Sequence, residues 1–171
     1  MIIVVMGVTG AGKTTVGSLL AEQLGWEFAD ADTFHPASNV EKMSHGIPLT
    51  DADRAPWLAA MRAAIENWMM KNKNAVLACS ALKGSYRQDL VISPDVRLVY
   101  LRGSYELIAR RLHSRHGHFA TEAILADQFA NLEEPADAVV IDISEDPASM
   151  AAEIRAQLGI SHAGGQAKHS V

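Results

Sequence analysis

Residues Gly7-Val8-Thr9-Gly10-Ala11-Gly12-Lys13-Thr14 have the spacing G-x-x-x-x-G-K-[ST] and directly follow the apolar run Ile2-Ile3-Val4-Val5-Met6. Glycines at these positions let the backbone wrap a polyphosphate with successive N–H groups pointing inward, and a helix opening at Lys13 adds the positive end of its dipole. This is a P-loop in its required setting, so Gly7, Val8, Thr9, Gly10, Ala11, Gly12, Lys13 and Thr14 are expected to hold a nucleoside triphosphate. Lys13 would reach the β- and γ-phosphates, and the Thr14 hydroxyl would ligate Mg²⁺. One strand further on stands Asp30-Ala31-Asp32. Alternation along an extended segment would turn both carboxylates to one side, facing the phosphates. Phosphoryl transfer to a hydroxyl needs hydrated Mg²⁺ to be oriented and the hydroxyl proton to be accepted. Asp30 is assigned to the metal and Asp32 to the proton, with the exchange of these two roles left open.

Basic residues cluster in two places. Arg110, Arg111, Arg115, His116 and His118 crowd one helix end and the turn at Gly117, where a mobile flap would bring guanidinium groups onto the transferring phosphate. Arg111 and Arg115 are four apart and share a helix face. Arg54, Lys83 and Arg87 form the second group and suit a carboxylate or a polyhydroxylated acid, since guanidinium matches carboxylate geometry in a bidentate way. His35 and His45 have no second His or Cys at ligand spacing, which leaves them as polar loop residues, with His35 in reach of a substrate.

A P-loop alone does not fix the class. The chain contains no D-x-x-G, and its Asn-Lys pairing at Asn72-Lys73 lacks the aspartate of guanine recognition, which disfavours a GTPase switch. No apolar strand ends in adjacent Asp-Glu, as in motor-type ATPases.

The elements that must position these residues alternate in type. The patterns predict strands over 2–6, 26–29, 75–79, 96–101 and 138–142. Helices are predicted over 13–24, 37–44, 51–71, 84–91, 105–115, 122–132 and 147–158. Such alternation means an α/β fold with a parallel five-stranded sheet covered on both faces, in three α/β/α layers. Trp57, Leu58, Met61, Ile65, Trp68 and Met69 recur at intervals of three and four, a core stripe, and Thr50 with Asp53 has capping-box spacing upstream. Asp146-Pro147 opens the last helix and Gly159 closes it.

At 171 residues the chain suits one domain, expected over 1–160, with a lid about 113–122 and a flexible tail over 161–171. A net charge of −5 offers no general attraction to nucleic acid or an anionic membrane, so an anion must meet local cations. Cys79 is the only cysteine, which excludes an intrachain disulfide, fits a reducing cytoplasm, and reads as a buried, inert thiol. Neither secretion nor membrane insertion is signalled.

Taken together, the blocks resemble the gluconokinases, a family of P-loop small-molecule kinases related in architecture to shikimate and nucleoside monophosphate kinases. The matching stretches are the P-loop, Asp30-Ala31-Asp32 through Phe34-His35-Pro36, Gly46-Ile47-Pro48-Leu49-Thr50-Asp51, Asp53-Arg54 and Pro56-Trp57-Leu58. Cys79-Ser80-Ala81-Leu82-Lys83, Tyr86-Arg87, Arg115, Gly117-His118-Phe119, Gln128-Phe129 and Leu132-Glu133 continue the series. The resemblance implies transfer of the ATP γ-phosphate to the 6-hydroxyl of D-gluconate with Mg²⁺, and a homodimer. It gives Gly10, Gly12, Lys13, Thr14 and Thr15 to the nucleotide, Asp32, Arg54, Lys83 and Arg87 to the sugar acid, with His35 and His118 nearby, and Arg111 and Arg115 to the lid. Two departures stand out: Ala120, where relatives often carry a bulkier apolar residue, and Gln88-Asp89 after Tyr86-Arg87. Kinases for shikimate or a nucleoside monophosphate, and a nucleotide-binding regulator without transfer activity, are the competing readings.

Overall fold

The computed structural model describes residues 1–114 and 122–161. Five strands, β1 (Ile2–Met6), β2 (Glu27–Asp30), β3 (Ala75–Ala78), β4 (Val96–Arg102) and β5 (Val139–Asp142), form one sheet in the order β2-β3-β1-β4-β5. Every pairing is parallel, with Ile2 opposite Ala75 on one side and Val96 on the other. Seven helices were predicted, and the described residues carry seven: α1 (Lys13–Leu24), α2 (Ala37–Ser44), α3 (Asp51–Met70), α4 (Gly84–Leu90), α5 (Tyr105–Ser114), α6 (Glu122–Asn131) and α7 (Pro147–Leu158). Their bounds agree with the sequence patterns to within one residue.

Side-chain alternation divides the core into two layers. Ile3 and Val5 of β1 join Val76, Val99, Leu101 and Ile141 in a cluster with α1, Ile108 of α5, Leu125 of α6 and Ile154 of α7. Ile2, Val4 and Met6 face the other way, onto Trp57, Met61, Ile65 and Trp68 of α3 and Leu90 of α4. All five residues of β1 are buried, as a central strand sandwiched between helix layers requires. The three-layer expectation therefore rests on period-2 burial on both faces.

The caps follow the sequence. Thr50 Oγ1 accepts from the Asp53 N–H at 3.2 Å while the Asp53 carboxylate accepts from the Thr50 N–H at 3.0 Å, a reciprocal capping box that fixes where α3 begins. Asp146 accepts from the Ala148 and Ser149 N–H groups at the start of α7, and Gly159 ends that helix in the left-handed region at φ 66°. One element has no counterpart in the sequence reading: a 3₁₀ turn, Ala31–Phe34, directly after β2. Most of the expected lid, including Arg115, His116, His118 and Ala120, and nearly all of the expected tail lie outside the described residues.

Candidate active site

The P-loop leaves β1 at the centre of the sheet and enters α1. Gly7 (φ 149°) has no room for a side chain, because a Cβ there would lie 2.9 Å from the Leu101 carbonyl oxygen. At Gly10 (φ 78°) a Cβ would meet Ile108 and Leu112 of α5 at 3.0 Å. Gly12 caps α1 in the left-handed region without a side-chain acceptor, and the first turn holds no acidic residue. The leading N–H groups of α1 are thus offered to an external anion rather than to an internal cap. Lys13 Nζ donates to the Val8 carbonyl at 2.9 Å and bends back along the loop. Burial pushes the Lys13 pKa down, while the thiol of Cys79 and the carboxylates of Asp32 and Asp30 act to raise it.

The two aspartates reach this loop by a turn, and the expectation of a continued extended segment needs correcting. Asp30 is the last residue of β2, and the chain then folds into the 3₁₀ turn, with Asp30 Oδ1 accepting from the Asp32 N–H at 3.1 Å. A side-chain acceptor followed two residues on by a free N–H favours this Asx-type turn over continued extension. The other Asp30 oxygen accepts from Thr14 Oγ1 at 2.6 Å. That contact joins the carboxylate turn to the first turn of α1. Trp57 of α3 holds the turn from the far side, its Nε1 donating to the Ala31 carbonyl at 2.7 Å. His35 stacks on the Trp57 ring, with centroids 4.7 Å apart and planes 5° from parallel. Burial pushes the His35 pKa down; Asp32 opposes that shift and Arg54 adds to it.

Of the three cations assigned to a sugar acid, two converge and one turns aside. Arg54 Nη1 donates to Tyr86 Oη at 3.2 Å, and Lys83 Nζ donates to both oxygens of Asp51 at 2.8 and 3.0 Å. Tyr86 Oη in turn donates to Asp51, and the Tyr86 ring lies under both cations, 5.9 Å from Arg54 and 5.5 Å from Lys83. The Asp51 carboxylate is held below its ordinary range first by the hydrogen bond from Lys83, then by that from Tyr86. Arg87 directs Nη1 at the Ala81 and Leu82 carbonyls, at 3.0 and 2.8 Å, and so shapes the loop that carries Lys83. Ala81 in that loop has φ 44°, an uncommon backbone region for a residue with a Cβ. Cys79, just before it, is buried and its thiol is pushed up to about 12 by burial, as an inert thiol should be.

Arg111 lies on the P-loop side. Its guanidinium donates to the Ile143 carbonyl, and with Gly10, Gly12, Thr15, Pro147 and Met150 it lines a cavity of about 420 Å³. Asp51, Tyr86, Gln128 and Glu133 were not singled out for chemistry by residue type and spacing, although each falls within a block that carries the resemblance. Gln128 accepts from the P-loop N–H of Thr9 at 2.6 Å, and Glu133 accepts from the Gly84 N–H at 2.6 Å.

Three comparisons bear on this arrangement. A family model for shikimate kinase matches residues 9–158. A probable gluconokinase of Xenopus tropicalis is 42% identical over 177 residues, covering 92% of this chain and 93% of its own length. A gluconokinase of Gluconobacter oxydans is 49% identical over 136 residues, covering 79% of this chain and 76% of its own. A solved gluconokinase structure from Sinorhizobium meliloti superposes with a TM-score of 0.82 at 42% identity, covering 92% of this chain and 90% of that one.

Proposed function

The chain belongs to the gluconokinase family of P-loop kinases, and from that membership we propose that it transfers the γ-phosphoryl group of ATP to the 6-hydroxyl of D-gluconate, giving 6-phospho-D-gluconate and ADP. The observation that carries the reading is the 2.6 Å contact from Thr14 Oγ1 to Asp30, which sets the carboxylate turn against the phosphate-binding loop. Gly7 to Thr15 bind the triphosphate through backbone N–H groups, and Lys13 stabilises charge that grows on the bridging and γ-oxygens. Asp32 orients the attacking hydroxyl and accepts its proton. Arg54 and Lys83 pair with the substrate carboxylate, Arg87 holds their loop, and His35 borders the polyol. Arg111, Arg115 and His118 serve the nucleotide side and the lid.

A divalent cation fits the donors present. Thr14 and Asp30 offer one hydroxyl and one carboxylate side by side, hard oxygen ligands of the kind Mg²⁺ takes alongside phosphate oxygens and water. Among the described residues no three His, Cys, Asp or Glu side chains converge, which suits a metal that arrives with the nucleotide. When bound, Mg²⁺ neutralises phosphate charge and orients the γ-phosphoryl group. We further propose one catalytic domain over 1–160 with its lid about 113–122, a homodimeric state and a cytoplasmic setting without nucleic-acid or membrane partners. No described helix is long and apolar enough to cross a membrane.

Acceptor-dependent ADP release, measured over gluconate, shikimate and nucleoside monophosphates, tests the reading. Gluconate is expected to support turnover. Release with shikimate and none with gluconate would overturn the acceptor, and ATP binding without any acceptor-dependent release would favour a regulator.

A further inference from the structure

Two side chains five residues apart reach into both halves of the site. Gln128 on α6 presents its carboxamide oxygen to the Thr9 N–H at 2.6 Å. Only the oxygen end of a carboxamide can accept from an N–H, so the contact fixes which way that group points. Beyond the end of α6, Glu133 takes hold of the loop that carries Lys83 at two points. Its carboxylate accepts from the Gly84 N–H at 2.6 Å, and its own N–H donates to the Leu82 carbonyl at 3.0 Å.

The segment between them is anchored. Leu125, one turn before Gln128, is fully buried, and the Phe129 ring meets Tyr105 of α5 edge-on with centroids 5.4 Å apart. Leu132 packs against both hydrophobic clusters and so spans the two faces of the sheet. The direct tie between the loops, from the Gly7 N–H to the Ser80 carbonyl, is long at 3.4 Å. Through its N–H, Thr9 is the point at which α6 holds the P-loop.

We propose that Gln128 and Glu133 are positioning residues, a brace that holds the nucleotide loop and the acceptor loop at one separation. What those loops carry rests on the kinase reading; the brace itself rests on the hydrogen bonds. In-line transfer depends steeply on that separation, since a misplacement near 1 Å can cost about 10²-fold in rate.

Steady-state kinetics and amide hydrogen exchange test it together. Gln128→Met and Glu133→Leu each remove an acceptor oxygen, and each is expected to lower kcat about tenfold with both KM values within about threefold of the parent. Glu133→Gln keeps an oxygen for the Gly84 N–H and is expected to retain kcat to within about twofold. In exchange, Gln128→Met should quicken residues 80–86, to which Gln128 makes no hydrogen bond, and Glu133→Leu should quicken residues 7–12. Acceleration confined to the loop each residue touches, or raised KM values with kcat intact, would overturn the brace. Exchange needs no acceptor, so a parent chain inactive on gluconate would sink the function while exchange still decides the brace.

Discussion

Lys13 is a cation pulled in two directions: burial favours its neutral form, and Asp30 and Asp32 favour the ammonium. A triphosphate in the loop would strengthen the second influence. Lys13→Ala is expected to lower kcat by at least about 10³-fold while leaving the melting temperature nearly unchanged, because its described hydrogen bond goes to the Val8 carbonyl alone. Retained turnover would remove the P-loop from the mechanism. The two aspartates separate by a different measurement. Asp32→Asn should lower kcat about 10²–10⁴-fold with ATP affinity little altered, as loss of a proton acceptor does. Asp30→Asn should instead raise the Mg²⁺ concentration needed for half-maximal rate, and the reverse pattern would exchange the two roles. Lys13 and Thr14 stood out in the sequence because the P-loop spacing is written in consecutive residues, and Asp30 because a carboxylate pair follows the next apolar strand. Gln128 and Glu133 were not, since their work is defined by N–H groups 119 and 49 residues away.

At the scale of elements, α3 shows how a helix start can also build a site. The capping box at Thr50 fixes the register of the helix, which puts Asp51 and Arg54 beside Tyr86 and turns Trp57 inward onto the 3₁₀ turn. Asp53 has a second partner in Lys42 of α2, 2.6 Å away, and its carboxyl is held down to about 2 by that hydrogen bond first and by the Thr50 N–H and hydroxyl after it. A carboxylate whose pKa is depressed in the folded chain stabilises fully above its ordinary value of 3.8, and that contribution is lost as pH falls through about 2. Asp53→Ala should therefore lower the melting temperature at pH 6, and the gap from the parent should close between pH ~4 and ~2. A gap that persists unchanged in acid would mean that packing, not ionisation, makes the contribution. The caps of α3 and α7 were readable because Thr, Asp and Pro at fixed offsets have local mechanisms. The 3₁₀ turn after β2 escaped because Asp30-Ala31-Asp32 also reads as extended chain. The choice was made by the hydrogen bonds that the Asp32 N–H donates to the Asp30 carboxylate and that Trp57 Nε1 donates to the Ala31 carbonyl.

For the whole molecule, the strand order β2-β3-β1-β4-β5 places β1 centrally, so the P-loop emerges where the sheet is best supported, between two separately packed helix layers. Parallel strands deliver their C-terminal ends to one edge, and at that edge lie the P-loop after β1, the carboxylate turn after β2 and the Lys83 loop after β3. The strand patterns foretold this parallel arrangement, but strand order comes from pairing between distant segments and was not written in any single run. A nucleotide bound at this edge touches loops rooted in several strands, so its binding free energy adds to the stability of the whole fold. With ATP and Mg²⁺ at about 100 times the dissociation constant, linkage gives about 2.7 kcal/mol. At about 2–4 °C per kcal/mol for a domain of this size, the melting temperature should rise by about 5–11 °C. Lys13→Ala should abolish most of that rise while leaving the unliganded melting temperature in place. Gly10→Ala should lower the unliganded value as well, because its Cβ would press on Ile108 and Leu112 at 3.0 Å in a backbone region that disfavours a side chain. Differential scanning calorimetry of the three proteins with and without nucleotide measures both effects at once. An equal nucleotide-induced shift in the parent and in Lys13→Ala would show that the triphosphate binds elsewhere than in this loop.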